Sequence, residues 1–126
     1  MSKNIIQVLI VSEAGRLRDS LRVLLRSCYP LATIVEAETG LAALQLLTGS
    51  PCSLVLLDAA LPDDQAWQAL DQIGQRFSQA QCVVLAHSFE HQKQAESAGV
   101  VAVELDGFTV ENLSAAMEIG AHPSRL

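Results

Sequence analysis

Lysine is nearly missing from this chain: Lys3 and Lys93 are the only two among 126 residues. Aromatic residues are scarce too. Tyr29, Trp67, Phe77, Phe89 and Phe108 make up 4% of a sequence that is 50% hydrophobic, so the core must come from Leu, Val, Ile and Ala. No apolar run approaches the ~18 residues that a membrane-spanning helix needs. The start, MSKNIIQVLIVSEAGR, lacks a cleavable apolar region with a small-residue site, and a cytoplasmic protein with no membrane partner is expected. Cys28, Cys52 and Cys82 are odd in number and show no CxxC spacing, which disfavours a zinc site and points to reduced, buried thiols. Bases are few and unevenly spread. Residues 1–57 carry five bases and four acids, and residues 58–126 carry three bases and ten acids, giving the net charge of −6. An acidic second half argues against direct nucleic-acid binding, which needs Lys and Arg to meet phosphates.

What is present reads as alternating strands and helices. The apolar β-rich run IIQVLIV (5–11) precedes a segment at 16–27 with Leu17, Leu21, Leu24 and Leu25 at helical spacing, ended by Pro30. TIVEA (33–37) predicts a strand, and Thr39 can cap a helix carrying Leu41, Leu44 and Leu47. SLVLL (53–57) is continuously apolar, as in a strand buried on both faces. Pro62-Asp63-Asp64 opens a helix with Leu70, Ile73 and Phe77. QCVVLA (81–86) and VVAVEL (100–105) predict two more strands, separated by a weakly amphipathic helix over 89–98. Thr109 can cap a last helix with Val110, Leu113 and Met117. Five βα units in one domain-sized chain predict an α/β fold, a parallel sheet with helices on both faces. The expected division is a domain over 1–120 and a short tail, or the start of a linker, over 121–126.

In such sheets ligands gather at the carboxyl ends of the strands. Ser12, Glu13, Asp58, Ala86, His87 and Asp106 are expected there. Asp58 stands out, because a carboxylate leaving an apolar strand is either a turn cap before Leu61-Pro62 or a nucleophile or metal ligand. Glu13 holds the equivalent place on the first strand, and two such carboxylates could share Mg²⁺.

The segments VLIVSEAGRLRDSLRVLL, SLVLLDAALPDD, CVVLAHS and AGVVAVELDGFT, in this order, resemble the receiver domain of two-component response regulators over nearly the whole chain. The resemblance implies a flavodoxin-like (βα)5 three-layer sandwich with strand order 2-1-3-4-5. It makes Asp58 the phosphoacceptor position, and Glu13, Asp58 and the Ala60 backbone carbonyl the ligands of any bound Mg²⁺. It also exposes departures. Ser12 stands where a first acid is expected, and Ala86 where a hydroxyl is expected, with His87 in place of a small residue. Val103 occupies the place of an aromatic switch, and Asp106 that of the phosphoryl-binding lysine. A one-residue slip would let Ser88 supply the hydroxyl, but no slip supplies the lysine. Exchanging Lys⁺ for Asp⁻ changes the local charge by two units, and each unit pair at ~4–5 Å is worth about 4 kcal/mol at an effective dielectric near 20. His87, if protonated, would replace part of the lost cation; the plainer expectation is a solvent-facing His87.

The resemblance therefore predicts an atypical receiver, a pseudo-receiver that is not an enzyme, binds Mg²⁺ weakly, and acts through protein contacts with a histidine kinase, phosphotransferase or output protein. The alternative is a working phosphoacceptor at Asp58 with weakened Mg²⁺ and phosphoryl binding. A third, a small Mg²⁺-dependent hydrolase, lacks its Asp-x-Asp motif in Asp58-Ala59-Ala60. Arg18, Arg22 and Arg26 lie at i, i+4 and i+8 on the first helix: a solvated face opposite the leucines, or a partner surface of the kind the family uses. A homodimer through the fourth helix, fifth strand and fifth helix is a further expectation of the resemblance.

Overall fold

The computed structural model of the chain describes residues 7–104. The expected last helix, the tail over 121–126 and Asp106 lie outside the described residues. In order, the elements are β1 (Gln7–Val11), α1 (Arg16–Cys28), β2 (Thr33–Ala37), α2 (Gly40–Gly49), β3 (Leu54–Asp58), a single 3-10 turn (Pro62–Asp64), α3 (Gln65–Arg76), β4 (Gln81–Ala86), α4 (Phe89–Ser97) and β5 (Val101–Glu104). The five strands form one parallel sheet in the order β2-β1-β3-β4-β5. This is the flavodoxin-like order that the resemblance implied.

The continuous apolar runs follow from this architecture. Strand side chains alternate between faces, and both faces are covered. Leu9, Val11, Val55, Leu57 and Val84 pack with Ala43, Leu47, Ala69 and Ile73 from α2 and α3. Val8, Ile10, Leu54, Leu56, Val83, Leu85 and Val103 pack on the opposite face with Leu21 and Leu25 from α1. A polar residue at either parity of β1, β3 or β4 would enter a core. Val103, at the expected switch position, is one of these core residues.

Helix starts behave as the local sequence dictates. The Thr39 side chain accepts from the Ala42 N–H at 3.0 Å, and Ser88 caps α4 by accepting from the His91 N–H at 3.1 Å. Ser88 is thus a helix cap. Gly40 marks the close approach of α2 to α3: a Cβ there would lie 3.1 Å from the Gln65 carbonyl oxygen, and the Gly40 N–H donates to Gln65 Oε1 at 2.9 Å. Between β3 and α3, Asp63 and Asp64 both adopt left-handed backbone at φ 59°, a region that Asp tolerates better than most residues.

The three thiols are free. Burial raises the Cys52 thiol and pushes the Cys82 thiol up to about 12. Because the unfolded Cys82 releases its proton near 9 while the folded one holds it, its contribution to stability is intact below pH 9 and is lost as pH rises toward 12. Of the expected buried thiols only Cys52 is buried, while Cys28 and Cys82 are partly exposed; disulfide-exchange labelling of the native protein at neutral pH is expected to modify Cys28 first, Cys82 more slowly because its thiol stays protonated, and Cys52 only as the chain unfolds. Leu56, with no exposed surface, offers a second check: Leu56→Ala is expected to lower unfolding free energy by about 2–5 kcal/mol in urea titrations.

Candidate functional site

Sheet register assembles the site. Val11 pairs with Leu57, so Ser12 leaves β1 level with Asp58. Asp58 in turn pairs with Leu85, so His87 follows just beyond the end of β4 on the same rim. The Ala59 N–H donates to the Leu85 carbonyl at 3.0 Å, and the Ser12 N–H to the Ala37 carbonyl at 2.9 Å, so the strand ends are tied together past the ladder itself. Ser12 and Asp58 are the two buried polar residues of the described chain, at 2% and 7% exposure.

The Asp58 carboxylate is enclosed by protein donors. Ser12 Oγ donates to Oδ2 at 3.1 Å within the buried part of the site. The Ala60 N–H donates to Oδ1 at 2.9 Å. His87 Nε2 lies 2.6 Å from the same Oδ1, a hydrogen bond whose direction follows the imidazole tautomer. His87 thus reaches Asp58 through Nε2 while 37% of its side chain stays exposed, so it faces solvent, as the plainer expectation had it, and touches the carboxylate as well.

His87 is itself held in place. Its backbone N–H donates to His91 Nδ1 at 3.0 Å, which requires a lone pair on that nitrogen. The two imidazoles meet edge to face at 5.9 Å between centroids, and the His91 ring lies 6.2 Å from that of Trp67 on α3. A continuous line of contacts therefore runs from α3 through α4 to the ends of β4, β3 and β1. The sequence offered His87 as a part-replacement for the lost cation; its contact with Asp58 comes from the register of β3 and β4, which sets Asp58 opposite Leu85, two residues before His87.

Glu13 is exposed and is not among the partners of Asp58. Among the described residues no three His, Cys, Asp or Glu side chains gather at one point. Mg²⁺ requires near-octahedral oxygen ligands at ~2.1 Å. Here both oxygens of Asp58 are engaged by N–H and O–H donors, an imidazole crowds Oδ1, and Ala60 turns its N–H toward the carboxylate. In this arrangement three protein contacts compete with a Mg²⁺ ion for the Asp58 carboxylate.

The arginines of α1 also do something other than face solvent together. Arg18 Nε lies 3.3 Å from Glu36 Oε1, and Arg18 Nη1 lies 3.6 Å from Glu38 and 3.4 Å from the Ser12 carbonyl it donates to. Arg22 binds Glu36 at 2.6 Å and Asp19 at 2.9 Å; the Glu36 hydrogen bond, with Asp19 adding to it, holds its guanidinium further above its usual range. Arg18 and Arg22 therefore clamp α1 to the end of β2 beside the site, and Arg26 stays exposed.

The enclosure of Asp58 has a measurable consequence. In a pocket dominated by like charges, removing a carboxylate relieves repulsion. Here Asp58→Ala leaves the Ala60 N–H without its side-chain acceptor, leaves Ser12 Oγ only the longer bond to the Glu13 carbonyl at 3.3 Å, and removes the partner of His87 Nε2. The variant is expected to lose roughly 1–3 kcal/mol of stability in chemical denaturation; a more stable Asp58→Ala protein would show that repulsion dominates the site.

No protein-family model matches the chain, and no curated protein matches it in sequence. Solved structures do. A two-component response regulator of the LuxR family from Aurantimonas sp. SI85-9A1 superposes with a TM-score of 0.83 at 19% identity, over 97% of this chain and 89% of the other. The signal receiver domain of an HD domain-containing protein from Pseudomonas fluorescens Pf-5 gives 0.81 at 20% identity, over 95% and 97%. A CheY-like response regulator receiver domain protein from Methanospirillum hungatei JF-1 gives 0.77 at 19% identity, over 95% and 96%. With its parallel sheet in the order 2-1-3-4-5 and its acidic strand end at Asp58, the chain has the fold of response regulator receiver domains.

Proposed function

We propose that this chain is a pseudo-receiver: a receiver-fold module of two-component signalling that works through protein contacts rather than through ordinary phosphorylation of Asp58. One observation carries the reading. The carboxylate at the acceptor position is closed off by Ser12, Ala60 and His87. A phosphoacceptor needs a free oxygen as nucleophile, and the incoming phosphoryl group brings further negative charge that must be compensated. At Asp58 the oxygens are already engaged. The cation beside them is at most an imidazole that the carboxylate itself holds. Lys3 and Lys93 cannot substitute: one precedes β1, and the other lies on α4, with its Nζ 5.5 Å from the Phe89 ring centroid.

In this reading the hydrogen bonds of Asp58 stand in for a metal ion and hold the strand ends in one arrangement. Val103, an aliphatic core residue in place of an aromatic switch, gives β5 no ring to swing between two positions. The module then presents a fixed surface to a histidine kinase, phosphotransferase or output protein, in the cytoplasm and without direct contact to nucleic acid. No described helix is long and apolar enough to cross a membrane. The α4–β5 part of the expected dimer face is described; its last helix is not.

The second reading, a slow phosphoacceptor, is favoured by the position of Asp58 at the carboxyl end of the central strand β3. Incubation with Mg²⁺ and acetyl phosphate, or with Mg²⁺ and beryllofluoride, separates the two. The pseudo-receiver reading expects no phosphoryl adduct by intact mass and no shift of backbone amide signals around Asp58. Stoichiometric modification at Asp58 would overturn it.

A further inference from the structure

From Thr39 to Leu57 the sequence carries no charged residue, and α2 lies wholly inside that stretch. The other described helices of this acidic chain each carry charge: arginines and Asp19 on α1, Asp71 and Arg76 on α3, Glu90, Lys93 and Glu96 on α4. The α2 surface is nonetheless turned partly to water. Leu41 is 67% exposed, and Leu44 is half-buried beside it. Between α2 and the first turns of α3 runs a groove of about 590 Å³, walled by Leu41 and Leu44 on one side and by Gln65, Gln68 and Gln72 on the other. Asp71 is its single carboxylate, and it accepts a hydrogen bond from Gln75 at 3.0 Å.

We propose that this groove is a self-association surface, and that its occupant is a second copy of the chain. Three features favour a copy over a different partner. First, a net charge of −6 sets two copies against each other wherever their acids face, and the repulsion is felt within a Debye length of ~8–10 Å; the α2 face is where close approach meets least of it. Second, carboxamides both donate and accept, so a row of glutamines pairs with an identical row without needing an opposite charge. Third, the surface holds both a protruding apolar side chain, Leu41, and a groove beside it. A two-fold axis seats each Leu41 in the groove of the other copy, as an isologous interface requires. A membrane is disfavoured because the face has no Lys or Arg to meet anionic lipid.

Helices of 10 and 12 residues are about 15 and 18 Å long, a smaller footprint than most stable complexes use. The dimer is therefore a weak one, which only a concentration series reveals. The inference is independent of whether Asp58 is phosphorylated.

Sedimentation velocity on the whole chain from roughly 10 to 500 μM tests it. The expected result is a rise in weight-average mass toward twice the monomer. Leu41→Glu, at an exposed position, weakens association at least ten-fold with an unchanged circular dichroism spectrum. Gln68→Glu, likewise exposed, does the same by charge alone and decides the matter should Leu41→Glu fail to fold. Phe89→Glu on α4 leaves association intact. Raising salt from about 0.05 to 0.5 M strengthens the dimer or leaves it unchanged. A constant monomer mass over the whole range overturns the proposal. So does a dimer indifferent to Leu41→Glu and Gln68→Glu, one lost in Phe89→Glu, or one that dissociates in salt.

Discussion

The carboxylate of Asp58 stands at the end of a strand whose every residue is buried, and a charge in that position must be compensated or neutralised. Everything around the candidate site follows from how this is done. Ser12, the Ala60 N–H and His87 supply the compensation from within the protein, and each comes from a different strand end or loop. Satisfying one carboxylate therefore fixes the relative position of β1, β3, β4 and the loop after β3. A buried polar network that is fully satisfied rigidifies what it joins.

The network extends beyond the carboxylate in two directions. Through His87 it reaches His91 and Trp67, which tie the site to the α4 and α3 surfaces. Through the Ser12 carbonyl it reaches Arg18, whose pairs with Glu36 and Glu38 join α1 to the end of β2. These outer pairs are partly solvated, so each one contributes little to stability. Their role is orientation, since they set where the first helix lies relative to the rim on which Ser12 stands.

Much of the fold was legible in the residues. Runs of alternating length and period, Thr39 and Pro30 as boundaries, and the fully apolar β1 and β3 gave the α/β class, and the resemblance gave the strand order that the sheet shows. Asp58 was legible as a site residue because an acid ending an apolar run is conspicuous. The conduct of the arginines was less so. Spacing places Arg18, Arg22 and Arg26 on one helix face, but only the packing of α1 beside β2 brings Glu36 within reach of two of them. Likewise a one-residue slip offered Ser88 as a pocket hydroxyl, whereas the start of α4 at Phe89 makes it the cap of that helix.

The sequence by itself determined what the site lacks. No lysine is near enough in the chain to follow the fifth strand, no hydroxyl is at residue 86, and no acid is at residue 12; residue identities alone establish these facts, because each concerns a chemical group that is not there. What fills the vacated places was decided by tertiary structure. His87 and Asp58 are 29 residues apart along the chain, and Ser12 and Asp58 are 46 apart. Contacts between strand ends depend on sheet register and on the direction each side chain takes as it leaves the sheet. Those are properties of the assembled fold, and no local pattern encodes them.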